Sequence, residues 1–126
     1  MPTEMTTPRW IKPEREGLYL PGADWWIDPS IPVARALVTH GHADHARSGH
    51  GEVWTTGATR DIIALRYGEP PRGRTPGYGE ACEIGDGITA TFLPAGHVLG
   101  SAQILLERQG ERIVVTGDYK RRPDPT

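Results

Sequence analysis

One cysteine in 126 residues excludes an internal disulfide, and its setting in "EACEI" reads as a small core residue at Cys82 rather than a reactive thiol or a metal ligand. Uninterrupted apolar runs reach only a few residues, so no membrane span is expected. The opening "MPTEMTTPRW" has no basic segment followed by an apolar stretch, so a signal peptide is not expected either, and the cytoplasm is the expected compartment. Charge of one sign is also scarce. A net charge of −2 gives no whole-chain field that would draw the protein to nucleic acid, so any such function must rest on a local site. With 37% hydrophobic and 24% charged residues, the composition is that of one globular domain.

Glycine and proline, by contrast, are abundant at 16 and 12 residues, and the periodic segments between them are short, which predicts many strands and few helices. "GLYLPG" and "DWWIDP" read as two short strands, "ARALVTH" as a buried strand, and "EVWTT" as another. "GATRDIIALRYG" reads as a helix with Ala58, Ile62 and Leu65 on one face, Asp61 near its N-terminal end and Gly68 as terminator. "EACEI" and "ITATFLPA" flank a turn at Gly85-Asp86-Gly87, and "AQILLER" and "ERIVVTGD" flank Gln109-Gly110, which predicts two hairpins. "YGEPPRGRTPGYGE" reads as a surface loop.

The informative stretch is "ALVTHGHADHARSGH", which holds four of the five histidines. His40 and His42, at i and i+2, share a side if the chain is still extended there, so both imidazoles can reach one ion. Asp44 and His45 fall past a turn, at the start of a short helix, where they can face a second ion. Imidazole with carboxylate suits Zn²⁺, Mn²⁺ or Fe²⁺. His97 in "LPAGHVLGSAQ" and Asp118 in "IVVTGDYK" end two further apolar strands, as site residues on such scaffolds often do. His50, between Gly49 and Gly51, reads as part of a solvated loop and is left out of the site. Trp10, Trp25, Trp26 and Trp54 are expected mostly to pack in the core, with "DWWID" burying one tryptophan and exposing the other.

In this order "WIDP", "HGHADH", "AGHVLGSA" and "TGDYK" resemble the four leading motifs of the metallo-β-lactamase fold. The wording around them, from Gly17 to Thr126, resembles the bacterial DNA ligase-associated exonucleases of the β-CASP branch, relatives of RNA 3′-end processing nucleases. The resemblance implies an α/β (α+β) fold, an αββα sandwich, of which residues 1–126 form the N-terminal part, with the C-terminal half and the β-CASP domain absent. It implies two divalent ions, Zn²⁺ or alternatively Mn²⁺: His40, His42 and His97 on one, Asp44 and His45 on the other, and Asp118 bridging. Asp44, Asp118 and Asp28 are the carboxylates it assigns to catalysis, with Asp28 orienting the ligand loop by hydrogen bonding. Lys120 and Arg121 are candidate phosphate contacts.

The implied function is metal-dependent phosphodiester hydrolysis, as a 3′-exonuclease acting on DNA ends. Its partners would be DNA and the DNA ligase and helicase of one repair system. The alternatives are an RNA 3′-end processing nuclease and an inactive metal-binding fragment. Because the strand signals suggest roughly one sheet and about two helices, an uncovered inner face and self-association are expected.

Overall fold

The computed structural model describes residues 8–39, 49–95 and 102–116. Five short strands come first: β1 (Lys12–Glu14), β2 (Gly17–Leu20), β3 (Trp25–Ile27), β4 (Arg35–Leu37) and β5 (Glu52–Trp54). They form one sheet in chain order, antiparallel from β1 to β3 and parallel from β3 to β5. Helix α1 (Gly57–Tyr67) follows, and then β6 (Ala81–Gly85), β7 (Ile88–Pro94), β8 (Ala102–Arg108) and β9 (Glu111–Thr116) make a second sheet, an antiparallel meander. Both expected hairpins are present. Asp86 and Gly87, and Gln109 and Gly110, all have positive φ, the backbone that lets a two-residue turn follow the twist of its strands.

Alternation along the strands sets the layers. Leu20, Trp25, Ile27, Leu37 and Trp54 of the first sheet share one core with Cys82, Ile84, Ile88, Phe92, Ile104 and Leu106 of the second. The intervening residues Ala36, Val38 and Val53 turn to the other side and pack with Ile63 of α1. Strand β4 is therefore buried on both faces, which is why "RALV" reads as a continuous apolar run. The order helix, sheet, sheet supplies three consecutive layers of the α/β sandwich. It also corrects the expectation of one sheet with an uncovered inner face: the chain builds two sheets, and their inner faces cover each other. Four of the five strands in the first half are read as strands in the sequence, but nothing local shows that they form a sheet separate from the later meander.

The helix face is shifted by one position from the expected one. Thr59 and Ile63 are buried, whereas Leu65 is 87% exposed. The adjacent Ile62 and Ile63 leave the phase open in sequence. Packing resolves it, because Ile63 meets Ala36, Val38 and Val53 of the first sheet, while Thr56 is the N-cap and its side chain accepts from the Thr59 N–H at 3.2 Å. Gly68, at φ 92°, ends the helix as expected, its N–H donating to the Ala64 carbonyl.

The tryptophans are structural. Trp10, Trp25 and Trp54 are buried, and Trp26 is half-buried against Tyr19. Trp25 and Trp54 meet edge to face at 4.9 Å between centroids, with Arg35 over the first ring and Arg74 over the second. The loop expected over "YGEPPRGRTPGYGE" runs along the free edge of β5, where Val53 N–H donates to Arg72 O at 2.7 Å and Thr55 N–H to Arg74 O at 3.3 Å. Gly73 permits that approach: its φ is 130°, and a Cβ there would lie 2.0 Å from the Val53 carbonyl oxygen. Cys82 is buried as expected, and burial pushes its thiol pKa up.

Candidate metal centre

The parallel strands β3 and β4 end at the same edge of the first sheet, and the side chain that follows β3 ties them together. Asp28 has a left-handed backbone, φ 49°, a conformation that a short polar side chain tolerates. Its N–H donates to the Leu37 carbonyl at 2.9 Å. Its carboxylate accepts two bonds from Thr39: the peptide N–H donates to Oδ1 at 2.9 Å and the hydroxyl donates to Oδ2 at 2.7 Å. Asp28 thus holds residues 37 and 39 of one extended chain, and residue 40 comes next.

Thr39 is fully buried, and its carbonyl accepts from Ala102 N–H at 2.7 Å. That bond joins the edge of the first sheet to the start of β8. Ala102 pairs with Pro94 at the end of β7, and Gln103 pairs with Thr116 at the end of β9. Five points of the chain are therefore held at one place: the residue after β3, the residue before "HGHADH", both sides of the loop that carries "AGHVL", and the strand end where "TGDYK" begins.

The sequence-predicted residues divide accordingly. Asp28 is described, and both of its carboxylate oxygens engage Thr39. His40, His42, Asp44, His45, His97 and Asp118, with Lys120 and Arg121, lie outside the described residues, as does the short helix expected after His42. Among the described residues no group of three or more His, Cys, Asp or Glu side chains could hold a metal ion. What the structure brings together is the chain on either side of the predicted ligands. Thr39, which sequence reasoning passes over, is the residue that connects them; a buried hydroxyl directly after the apolar residues 36–38 is the available signal.

His50 sits elsewhere and is not solvated as expected. It is half-buried, its Nδ1 accepts from the Val33 N–H at 3.1 Å, and its Nε2 is buried with no hydrogen-bond partner. Burial lowers its pKa. Val33 precedes β4 while Thr39 follows it, so the two ends are about 20 Å apart at the rise of an extended chain. His50 lines an open pocket with Val53, Ile63, Tyr67 and Arg72, at the edge opposite Thr39.

No protein-family model matches the chain. Among curated proteins, a probable DNA ligase of Opitutus terrae is 36% identical over 108 residues, covering 84% of this chain and 10% of its own length. Endoribonuclease YSH1 of Mycosarcoma maydis is 29% identical, covering 84% of this chain and 15% of itself. The 5′ exonuclease Apollo of Gallus gallus is 29% identical, covering 85% of this chain and 26% of itself. The chain thus spans between a tenth and about a quarter of the length of these relatives. Over most of its own length, it resembles the β-CASP nucleases of the metallo-β-lactamase fold.

Proposed function

We propose that this chain carries the metal-holding part of a nuclease that hydrolyses phosphodiesters at nucleic-acid ends, with DNA as the substrate and 3′-exonuclease action as its mode. The observation that supports this most is the convergence at Thr39 and Ala102, which fixes the origins of the three segments bearing His40 to His45, His97 and Asp118 beside one another. The donor set fits a divalent pair: three imidazoles and a carboxylate suit one zinc-like ion, and Asp44, His45 and a shared Asp118 suit a second, less completely. When bound, such ions lower the pKa of water and neutralise charge on a reacting phosphate. Asp28 holds the backbone before His40 in place by its two bonds to Thr39. Lys120 and Arg121, next to Asp118 in sequence, are the proposed phosphate contacts, since cationic side chains beside a metal ligand suit a phosphate.

DNA is preferred because, over the same 84% of this chain, identity to the probable DNA ligase is 36% against 29% to the endoribonuclease of Mycosarcoma maydis, and a ligase and helicase of one repair system are the proposed partners. The likeness to an endoribonuclease favours RNA as the second reading. The cytoplasm is the proposed location. Self-association would use the outer face of the second sheet, where Val114 is 51% exposed and pairs with Leu105.

Elemental analysis after gel filtration tests the metal centre: about one Zn²⁺ should be held firmly and a second weakly, and a chain that holds none would refute the reading. End-labelled single- and double-stranded DNA and RNA, offered to the chain within a full-length protein of this family, test the substrate. Release of nucleotides from DNA 3′ ends is expected. Cleavage confined to RNA would favour the second reading.

A further inference from the structure

We infer that Thr39 is a positioning residue, whose hydroxyl fixes the departure of the His40–His45 segment and whose carbonyl sets its distance from the His97 segment. This rests on the metal-centre reading above. All three polar groups of Thr39 are used. The N–H and the hydroxyl both go to Asp28, and the carbonyl goes across to Ala102. The residue is fully buried, two positions after the end of β4, and the preceding residues Leu37 and Val38 are fully buried and apolar. Packing alone would accept valine there, which has the same shape and strand preference as threonine. The hydroxyl is therefore the feature to be explained, and its partner is a carboxylate rather than a backbone carbonyl.

The paired bonds to Asp28 oppose rotation of the Thr39 side chain and peptide together, and Asp28 is itself tied to Leu37 by its own N–H. With residues 37 and 39 both held, the chain is fixed up to the residue that precedes His40 before any ion arrives. Holding donors in their bound arrangement in advance reduces the ordering cost of binding. The carbonyl bond to Ala102 extends the same restraint to the second sheet, so that two ligand-bearing segments are referred to one residue.

The test compares the 126-residue chain with Thr39→Val and Thr39→Ser. Zn²⁺ affinity is read by competition with a chromophoric chelator, the visible spectrum of the Co²⁺-loaded chain reports coordination, and a metal-free thermal melt reports folding. Thr39→Val should fold cooperatively without metal yet bind Zn²⁺ about 10- to 100-fold more weakly, the range for removing a residue that supports metal ligands. Its Co²⁺ spectrum should change. Thr39→Ser, which keeps the hydroxyl, should return affinity and spectrum close to those of the unaltered chain. Equal Zn²⁺ affinity in Thr39→Val would overturn the inference and leave the metal centre standing. So would a serine variant as weak as the valine variant. Failure of Thr39→Val to fold would assign the hydroxyl to the fold rather than to ligand placement, and overturn the inference too. An unaltered chain that binds no ion would remove the metal-centre reading and this inference together.

Discussion

The two ends of strand β4 are built from similar material to different effect. At its C-terminal end Thr39 is fully buried and every polar group of the residue is partnered, two of them by Asp28. At the other end His50 is half-buried, one ring nitrogen accepts from Val33, and the second has no partner. A buried polar network that is complete holds its members in one arrangement, while an incomplete one weakens the fold around it. Completeness at the Thr39 end marks the place where position matters, because the predicted metal ligands begin one residue later.

The largest test of that contrast is removal of ligands. Within a full-length protein of the family, His42→Ala and Asp118→Ala should abolish nuclease activity, and His50→Ala should leave it largely intact under matched metal and pH. Equal damage from all three would dissolve the distinction between the two ends.

Next in size is the clamp itself. Asp28→Ala leaves the buried N–H and hydroxyl of Thr39 without their acceptor and puts a residue with no polar side chain at φ 49°. Together these should cost roughly 3 kcal/mol of stability. Urea unfolding of the metal-free chain measures it, and a loss under about 1 kcal/mol would show that water replaces the carboxylate at little cost.

An effect of comparable size checks the packing behind β4. Ile63 is buried against Val38 and Val53, so Ile63→Ala should lose about 2 to 4 kcal/mol. Leu65→Ala, at an exposed site, should stay within about 0.5 kcal/mol. The reverse order would restore the helix face read from the sequence.

Much of this architecture is legible in the amino-acid sequence alone, and the exceptions share a cause. Strands and hairpins with a strong local signal, such as "ITATFLPA" and "AQILLER", lie where the sequence places them, because alternation and turn residues are local properties. The helix is legible too, but its buried face includes Thr59, a polar residue that an apolar pattern does not pick out. The strands of the first sheet are legible one by one, but their grouping into a separate sheet is not, because it depends on burial against a sheet that comes later in the chain. Asp28 stands out through a family motif. Thr39 does not, since nothing in "ALVTH" shows that its hydroxyl meets a carboxylate eleven residues earlier.

The smallest expected effect is the acid response at the His50 end. Burial lowers the folded-state pKa of His50 below the value near 6.5 expected for an unfolded chain. Above the unfolded value the ring is neutral in both states, and its full contribution to stability is present. As pH falls, the unfolded chain takes up the proton first, so stability declines until the pH has passed the folded-state pKa. His50→Asn keeps an acceptor where Nδ1 receives the Val33 N–H and has no titrating group, so this part of the acid loss should vanish. The measurement is the difference in melting temperature between variant and unaltered chain from pH 8 to pH 5, with a chelator present so that no bound ion contributes. The gap should move in favour of the variant as pH drops through about 6.5. Because the ring is only half-buried, solvent limits the shift, which should be smaller than the losses at Asp28 and Ile63. A gap that stays constant with pH would mean that the folded chain leaves His50 to titrate as an exposed histidine does, and that the two ends of β4 differ in position alone.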